Sequence, residues 1–189
     1  QNGYNITITG KTTKSTEKLP GSIYSVAKKI ESLGVEALPQ RVDVTNVEDI
    51  KSCIENTFLK WKRIDLVINN AGALWWKSIV DTPHQRYDLI NNVNSRAAFI
   101  MAKEAIPYML KNGGGHIINC SPPLTQNNQL AFQLSDLRGK TAYMISKLGM
   151  TLSALGIAEE YRGRGIAANT LWPMTPVESY ALINHKLGN

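Results

Sequence analysis

Along most of the 189-residue chain, short β-branched or apolar runs take turns with longer segments whose apolar residues recur every three or four positions. Strands repeat with a period of two and helices with a period of 3.6, so neither pattern can substitute for the other. Strand-like runs fall at 4–9 (YNITIT), 36–44, 65–70 (DLVINN), 116–121 (HIINCS) and 166–171. Helical spacing links Ile23, Val26, Ala27, Ile30 and Leu33 before Gly34, then Val47, Ile50, Ile54, Phe58 and Trp61 behind a capping Asn46. It returns over 85–110, where Pro107 should kink or shorten the helix, and over 141–162, with a last short helix predicted at 177–186. Regular alternation of this kind predicts an α/β fold, a doubly wound parallel sheet with helices on both faces, in a single domain over 1–189.

Such a sheet needs a sizeable core. At 43% hydrophobic and 19% charged residues, the chain has the composition of a globular domain and not of a disordered one. No apolar run approaches the roughly 20 residues of a membrane span, and no basic-then-apolar leader opens the sequence. The net charge of +6 is scattered over 28–29, 60–63, 138–140 and 162–164 without interleaved aromatics, so no nucleic-acid partner is expected. Cys53 and Cys120 lie far apart in apolar patterns and read as free buried thiols, while His84, His116 and His185 lack metal-ligand spacing. Three consecutive glycines at 113–115 precede a strand, whereas a phosphate loop precedes a helix, so they read as a turn.

Doubly wound sheets bind ligands beyond the carboxyl ends of their strands. At those ends stand Lys11 and Lys14, then Asp43, then Asn69, Asn70, Ala71 and Gly72, then Ser121, and finally Pro173 and Thr175. Beside that rim the helix at 141–162 carries Tyr143 and Lys147, four apart and on one face. An ordinary tyrosine has a pKa of about 10, so proton exchange near neutrality needs a shift of about three units, or ~4 kcal/mol. An ammonium about 4 Å away at an effective dielectric near 20 supplies that order. By itself Y-x-x-x-K is a weak signal, equally an aromatic anchor beside a solvated lysine. Its placement beside a rim of small and polar residues strengthens the catalytic reading.

Taken together, NNAG at 69–72, VDV at 42–44, NVN ending at Asn94, the strand HIINCS and YMISK at 143–147 resemble the short-chain dehydrogenase/reductase family over nearly the full length. The resemblance implies a Rossmann-like fold and an NADP(H)-dependent oxidoreductase moving hydride between nicotinamide and a carbonyl or alcohol of lipid-like character. It also implies a peroxisomal setting, with cytoplasm or mitochondrion as the alternatives. Carried over to this sequence, Tyr143 is the acid/base. Lys147 holds the nicotinamide ribose and lowers the tyrosine pKa, and Asn94 supports a water reaching Lys147 through a local break in its helix. Asp43 and Val44 approach the adenine, Asn70, Ala71 and Gly72 line the cofactor cleft through close backbone approach, and Thr175 lies near the carboxamide. Lys11, with Lys14 as a second candidate, stands where an acidic residue would hold the ribose of NAD; a lysine there favours the extra phosphate of NADP. Its plain alternative is a solvated loop lysine.

The chain also departs from the family pattern. Ser121 falls one position early, with Pro122 in the expected place and 22 positions to Tyr143; it is either a hydrogen-bond donor to the substrate oxygen or a structural serine. The first strand with its T-G-x-x-x-G-x-G turn and the final strand are not found, so the domain is expected to be incomplete at both ends. That leaves a non-catalytic scaffold or dimerisation partner as the alternative function. Subunit pairing through 85–110 and 141–162 implies a homodimer or homotetramer, with Ala97, Ala98, Ala102, Ala154, Gly156 and Ala158 allowing close helix approach. Trp75 and Trp76 are expected to pack against a helix or subunit, with an aromatic wall for an apolar ligand as the other reading.

Overall fold

The structure is a computed structural model that describes residues 3–16, 20–122, 124 and 133–173. Thr175 and the helix predicted at 177–186 lie outside those residues.

Five parallel strands and the helices between them follow the predicted alternation: β1 (Ile6–Gly10), α1 (Ile23–Glu31), β2 (Ala37–Arg41), α2 (Val47–Trp61) and β3 (Leu66–Asn69), then α3 (His84–Asn91), α4 (Ala97–Lys111), β4 (Gly115–Asn119), α5 (Thr141–Glu160) and β5 (Ile166–Thr170). Local chemistry sets several of the boundaries. Ser22 and Ser25 form a reciprocal capping box at the start of α1. The side chain of Asn46 accepts the Glu48 N–H at 2.9 Å, and Lys62 ends α2 in the left-handed region at φ 59°.

Pairing falls into two blocks. β1 runs parallel to β2, with Ile6 opposite Ala37, and β3, β4 and β5 pair in that order, with Leu66 opposite His116 and Gly115 opposite Ile166. β1 and β3 do not hydrogen-bond to each other, and Ile6, Leu66 and Ile68 on them stay exposed. The core lies under β4 and β5, where Ile54, Ile64, Ile106, Met109, Ile117, Ala154 and Ile166 pack together.

The helical pattern at 85–110 is interrupted at Asn94, where the family resemblance implied a local break: α3 and α4 are joined by a turn of π-helix at Asn92–Arg96. Pro107 lies inside α4 without ending it. Pro107 is exposed, while buried Ala105, Ile106 and Met109 hold the helix down. Of the small residues expected between subunits, Ala97, Ala98, Ala102 and Ala154 are buried within the chain, while Ala158 is half-buried and Gly156 exposed. The glycine turn is as expected, since a Cβ on Gly114 would overlap the Gly165 carbonyl. Among the described residues, no helix is long and apolar enough to cross a membrane.

Candidate active site

Asparagines anchor α5 to the sheet. Asn69 Nδ2 donates to Asn119 Oδ1 at 2.8 Å, and Asn119 Nδ2 donates to the Met150 carbonyl at 2.8 Å. Asn119 is fully buried, so this amide relay has little freedom to shift and fixes the helix register against β3 and β4. That register brings Tyr143 and Lys147, 9% and 5% exposed, to the carboxyl end of the sheet.

A second set of bonds fixes the first turns of α5. Asn94, held by the π-turn, accepts the Ala73 N–H at 2.9 Å, donates to the Ala73 carbonyl at 3.1 Å and donates to Ser146 Oγ at 2.8 Å. Ser146 passes its own proton to the Tyr143 carbonyl at 2.7 Å. Asn94 thus spends both amide protons on protein, leaving one oxygen lone pair for the expected water. The Lys147 ammonium donates to the Cys120 carbonyl at 2.8 Å and lies 3.7 Å from Met150 Sδ. Gly72 sits alongside: a Cβ there would be 3.5 Å from both Asn94 Oδ1 and Lys147 Nζ.

Lys147 does not make the phenol acidic here. Burial alone pushes the Tyr143 hydroxyl up to about 12, and burial moves the Lys147 ammonium down. The ammonium is turned to the Cys120 carbonyl, and the Tyr143 hydroxyl has no hydrogen-bond partner among the described residues.

The structure also keeps Ser121 apart from Tyr143. Ser121 is fully buried, with its hydroxyl 3.1 Å from that of Thr151. Thr151 donates to the Pro122 carbonyl at 2.7 Å, so Ser121 donates to Thr151. Thr151 stands eight residues beyond Tyr143, about 12 Å along the helix axis. The early position of Ser121 and the following proline therefore give a serine that ties β4 to α5.

At the opposite side of the rim, Lys11 pairs with Asp43 at 3.2 Å. Hydrogen bonds from the Thr45 N–H and hydroxyl, and then Lys11, hold the Asp43 carboxyl below its usual value. Lys14 is exposed and has no ion pair among the described residues. Val44 is half-buried, and Asn70 and Ala71 are exposed beyond β3. Cys53 is buried but Cys120 is only half-buried, and both are free. No group of three metal-ligating side chains occurs among the described residues.

Trp76 meets Tyr143 edge-on, with ring centroids 6.4 Å apart. The Lys140 ammonium lies 4.8 Å from the Trp76 ring centre and the Arg86 guanidinium 4.9 Å from that of Trp75. Ser146, Asn119 and Thr151 were missed from sequence. Ser146 alone carried a signal, standing one turn from Tyr143 inside YMISK.

The comparisons with known proteins bear on the family and the fold. A family model described as short chain dehydrogenase matches residues 3–179. Hydroxysteroid dehydrogenase-like protein 2 from Mus musculus is 43% identical over 182 residues, covering 96% of this chain and 36% of the relative. Its Homo sapiens counterpart is 41% identical, covering 96% of this chain and 42% of the relative. The chain thus spans about two fifths of the length of these curated relatives. A crystal structure of a short chain dehydrogenase from Mycobacterium thermoresistibile superposes with a TM-score of 0.86 at 38% identity, over 100% of this chain and 65% of that one. A metagenomic short-chain oxidoreductase in complex with NADP shares the fold at a TM-score of 0.76 and 22% identity, over 97% of this chain and 76% of its own. The family match takes in every strand and helix described above, and the chain belongs to the short-chain dehydrogenase family.

Proposed function

We propose that the protein is an NADP(H)-dependent carbonyl reductase in which Tyr143 gives its proton to the carbonyl oxygen as hydride reaches the carbon. The observation that carries this reading is the state of Lys147. An ammonium has three protons; one is used on the Cys120 carbonyl and one points weakly toward Met150 Sδ. The third is unspent, beside the open backbone of Gly72 and one helical turn from Tyr143. These residues fit a nicotinamide ribose, whose hydroxyls would take the free proton of Lys147 while Gly72 leaves room for the sugar. The bound nicotinamide supplies the hydride.

A phenol held at about 12 is protonated at neutral pH, so Tyr143 carries the proton that carbonyl reduction uses. For the NADP preference, exposed Lys14 is the cation free to meet a ribose phosphate, with Lys11 available once released from Asp43. Exposed Phe99 on α4 and Ile145, Leu152 and Leu155 on α5 make an apolar face suited to a second copy of the chain.

The test is a titration of the protein with NADPH and NADH, read by tryptophan fluorescence, followed by carbonyl-dependent NADPH consumption. Quenching by NADPH at micromolar levels, lost in Lys147→Met, supports the reading. Absence of both binding and turnover would overturn it in favour of a non-catalytic scaffold.

A further inference from the structure

The segment bearing Trp75 and Trp76 gathers hydrogen-bond donors and positive charge, with no acceptor to match. Both indole N–H groups are buried and have no hydrogen-bond partner among the described residues. A buried donor left unpaired costs free energy, so such groups are rare unless something absent from the structure meets them. Over the two rings stand Arg86 and Lys140, and neither makes an ion pair among the described residues. Asp81 accepts from Ser78 Oγ at 2.6 Å, and Asp136 accepts from the Gln133 N–H.

The helices that carry these cations add the same sign. Pro83 stands at the capping position of α3 and Lys140 at that of α5, and neither start has a side-chain cap or an acidic residue in its first turn. Each therefore presents uncapped N–H groups at the positive end of its dipole. The loop after the tryptophans leaves Ile79 and Val80 73% and 95% exposed, apolar surface beside a cationic one.

We propose that Lys140 and Arg86, with the Trp75 and Trp76 indoles, form a substrate subsite for an anionic group, so that the carbonyl substrate is an apolar molecule bearing a carboxylate or phosphate. This rests on Tyr143 being the reacting end of the site. The Trp76 ring lies against both the Lys140 ammonium, at 4.8 Å, and the Tyr143 ring, at 6.4 Å, so a ligand on it would be near the cation and the proton donor together. Aromatic faces suit such a ligand, since they hold cations from one side and apolar chain from another.

The probes are decanoate, decyl phosphate and decan-1-ol, with binding followed by tryptophan fluorescence in the presence and absence of NADP. Both anions should bind at least about tenfold more tightly than the alcohol, an order expected for two charge-assisted contacts. In the double variant K140M/R86M that preference should vanish while decan-1-ol affinity stays within about twofold. The charge-keeping double variant K140R/R86K should retain the preference, with circular dichroism showing that both variants fold. Which anion binds more tightly separates a carboxylate from a phosphate substrate. Saturating NADP should leave decanoate bound; competition would mean that the cations read the cofactor's own phosphates, and the subsite would be withdrawn. Equal affinity for decanoate and decan-1-ol in the parent protein would also overturn it. Selective decanoate binding without any NADPH turnover would leave the subsite standing and remove only the reductase reading.

Discussion

Asn94 and Ser146, 52 positions apart, meet in a buried hydrogen bond of 2.8 Å that joins the π-turn to α5. Ser146 accepts from Asn94 and donates to the Tyr143 carbonyl, so the start of α5 is held by a side chain from another element. The relay accounts for the irregular turn at Asn92–Arg96: a regular helix there would aim Asn94 elsewhere.

Asn94→Ala should therefore destabilise the fold by about 2 kcal/mol, because Ser146 and both backbone polar groups of Ala73 lose a buried partner. Ser146→Ala should cost less, about 1 kcal/mol. Urea midpoints at constant m-value measure both; a smaller loss for Asn94→Ala than for Ser146→Ala would contradict the relay.

Much of this was legible in the chain. Strand and helix periods gave the fold class because parallel, helix-covered strands impose both periods strongly. Gly72, Tyr143 and Lys147 were legible because small or polar residues at strand ends are a local pattern. The break at Asn94 came from the family resemblance and not from periodicity, since its residues share the apolar spacing of a continuous helix and its partners, Ala73 and Ser146, lie far away in sequence. The acidity of Tyr143 was misjudged for a related reason. Sequence spacing places an ammonium near a phenol but does not say that a carbonyl, from Cys120, takes the ammonium first. The alanines on α4 and α5 matched an interface by composition, yet only the packed structure shows which helix faces turn inward.

Ser121→Ala separates a structural from a catalytic serine. Removing its hydroxyl leaves Thr151 still bonded to Pro122, so a stability loss of about 1 kcal/mol is expected. The reduction rate should stay within a few-fold. A loss on the order of a hundredfold, typical of a removed proton-transfer partner, would return Ser121 to the chemistry.

Gly72→Ala should leave the melting temperature nearly unchanged, because a Cβ there meets its neighbours at 3.5 Å, an ordinary contact distance. It should still weaken NADPH binding by about tenfold or more, since the methyl occupies space in front of Lys147 that the ribose needs. Unaltered affinity would place the cofactor elsewhere.

Stability should fall at alkaline pH through Tyr143. Its phenol ionises at about 12 in the fold against 10.0 in the unfolded chain, so the folded state holds the proton more tightly. The associated stability is complete below the unfolded value and is lost as pH rises toward the folded one. Lys147 runs the other way, because burial disfavours its charged form and alkaline deprotonation relieves that cost. Between pH 8 and pH 11, Tyr143→Phe should gain about 1–2 kcal/mol relative to the parent protein in urea titrations. No relative change would mean that the phenol is solvated.

The role of Tyr143 as proton donor is tested most directly by single-turnover formation of the alcohol product, followed against pH with NADPH already bound. The rate should be flat through neutrality and decline only as the phenol ionises, and Tyr143→Phe should lower it by about 10²–10⁴-fold while NADPH affinity is kept. An unchanged rate in Tyr143→Phe would contradict the mechanism.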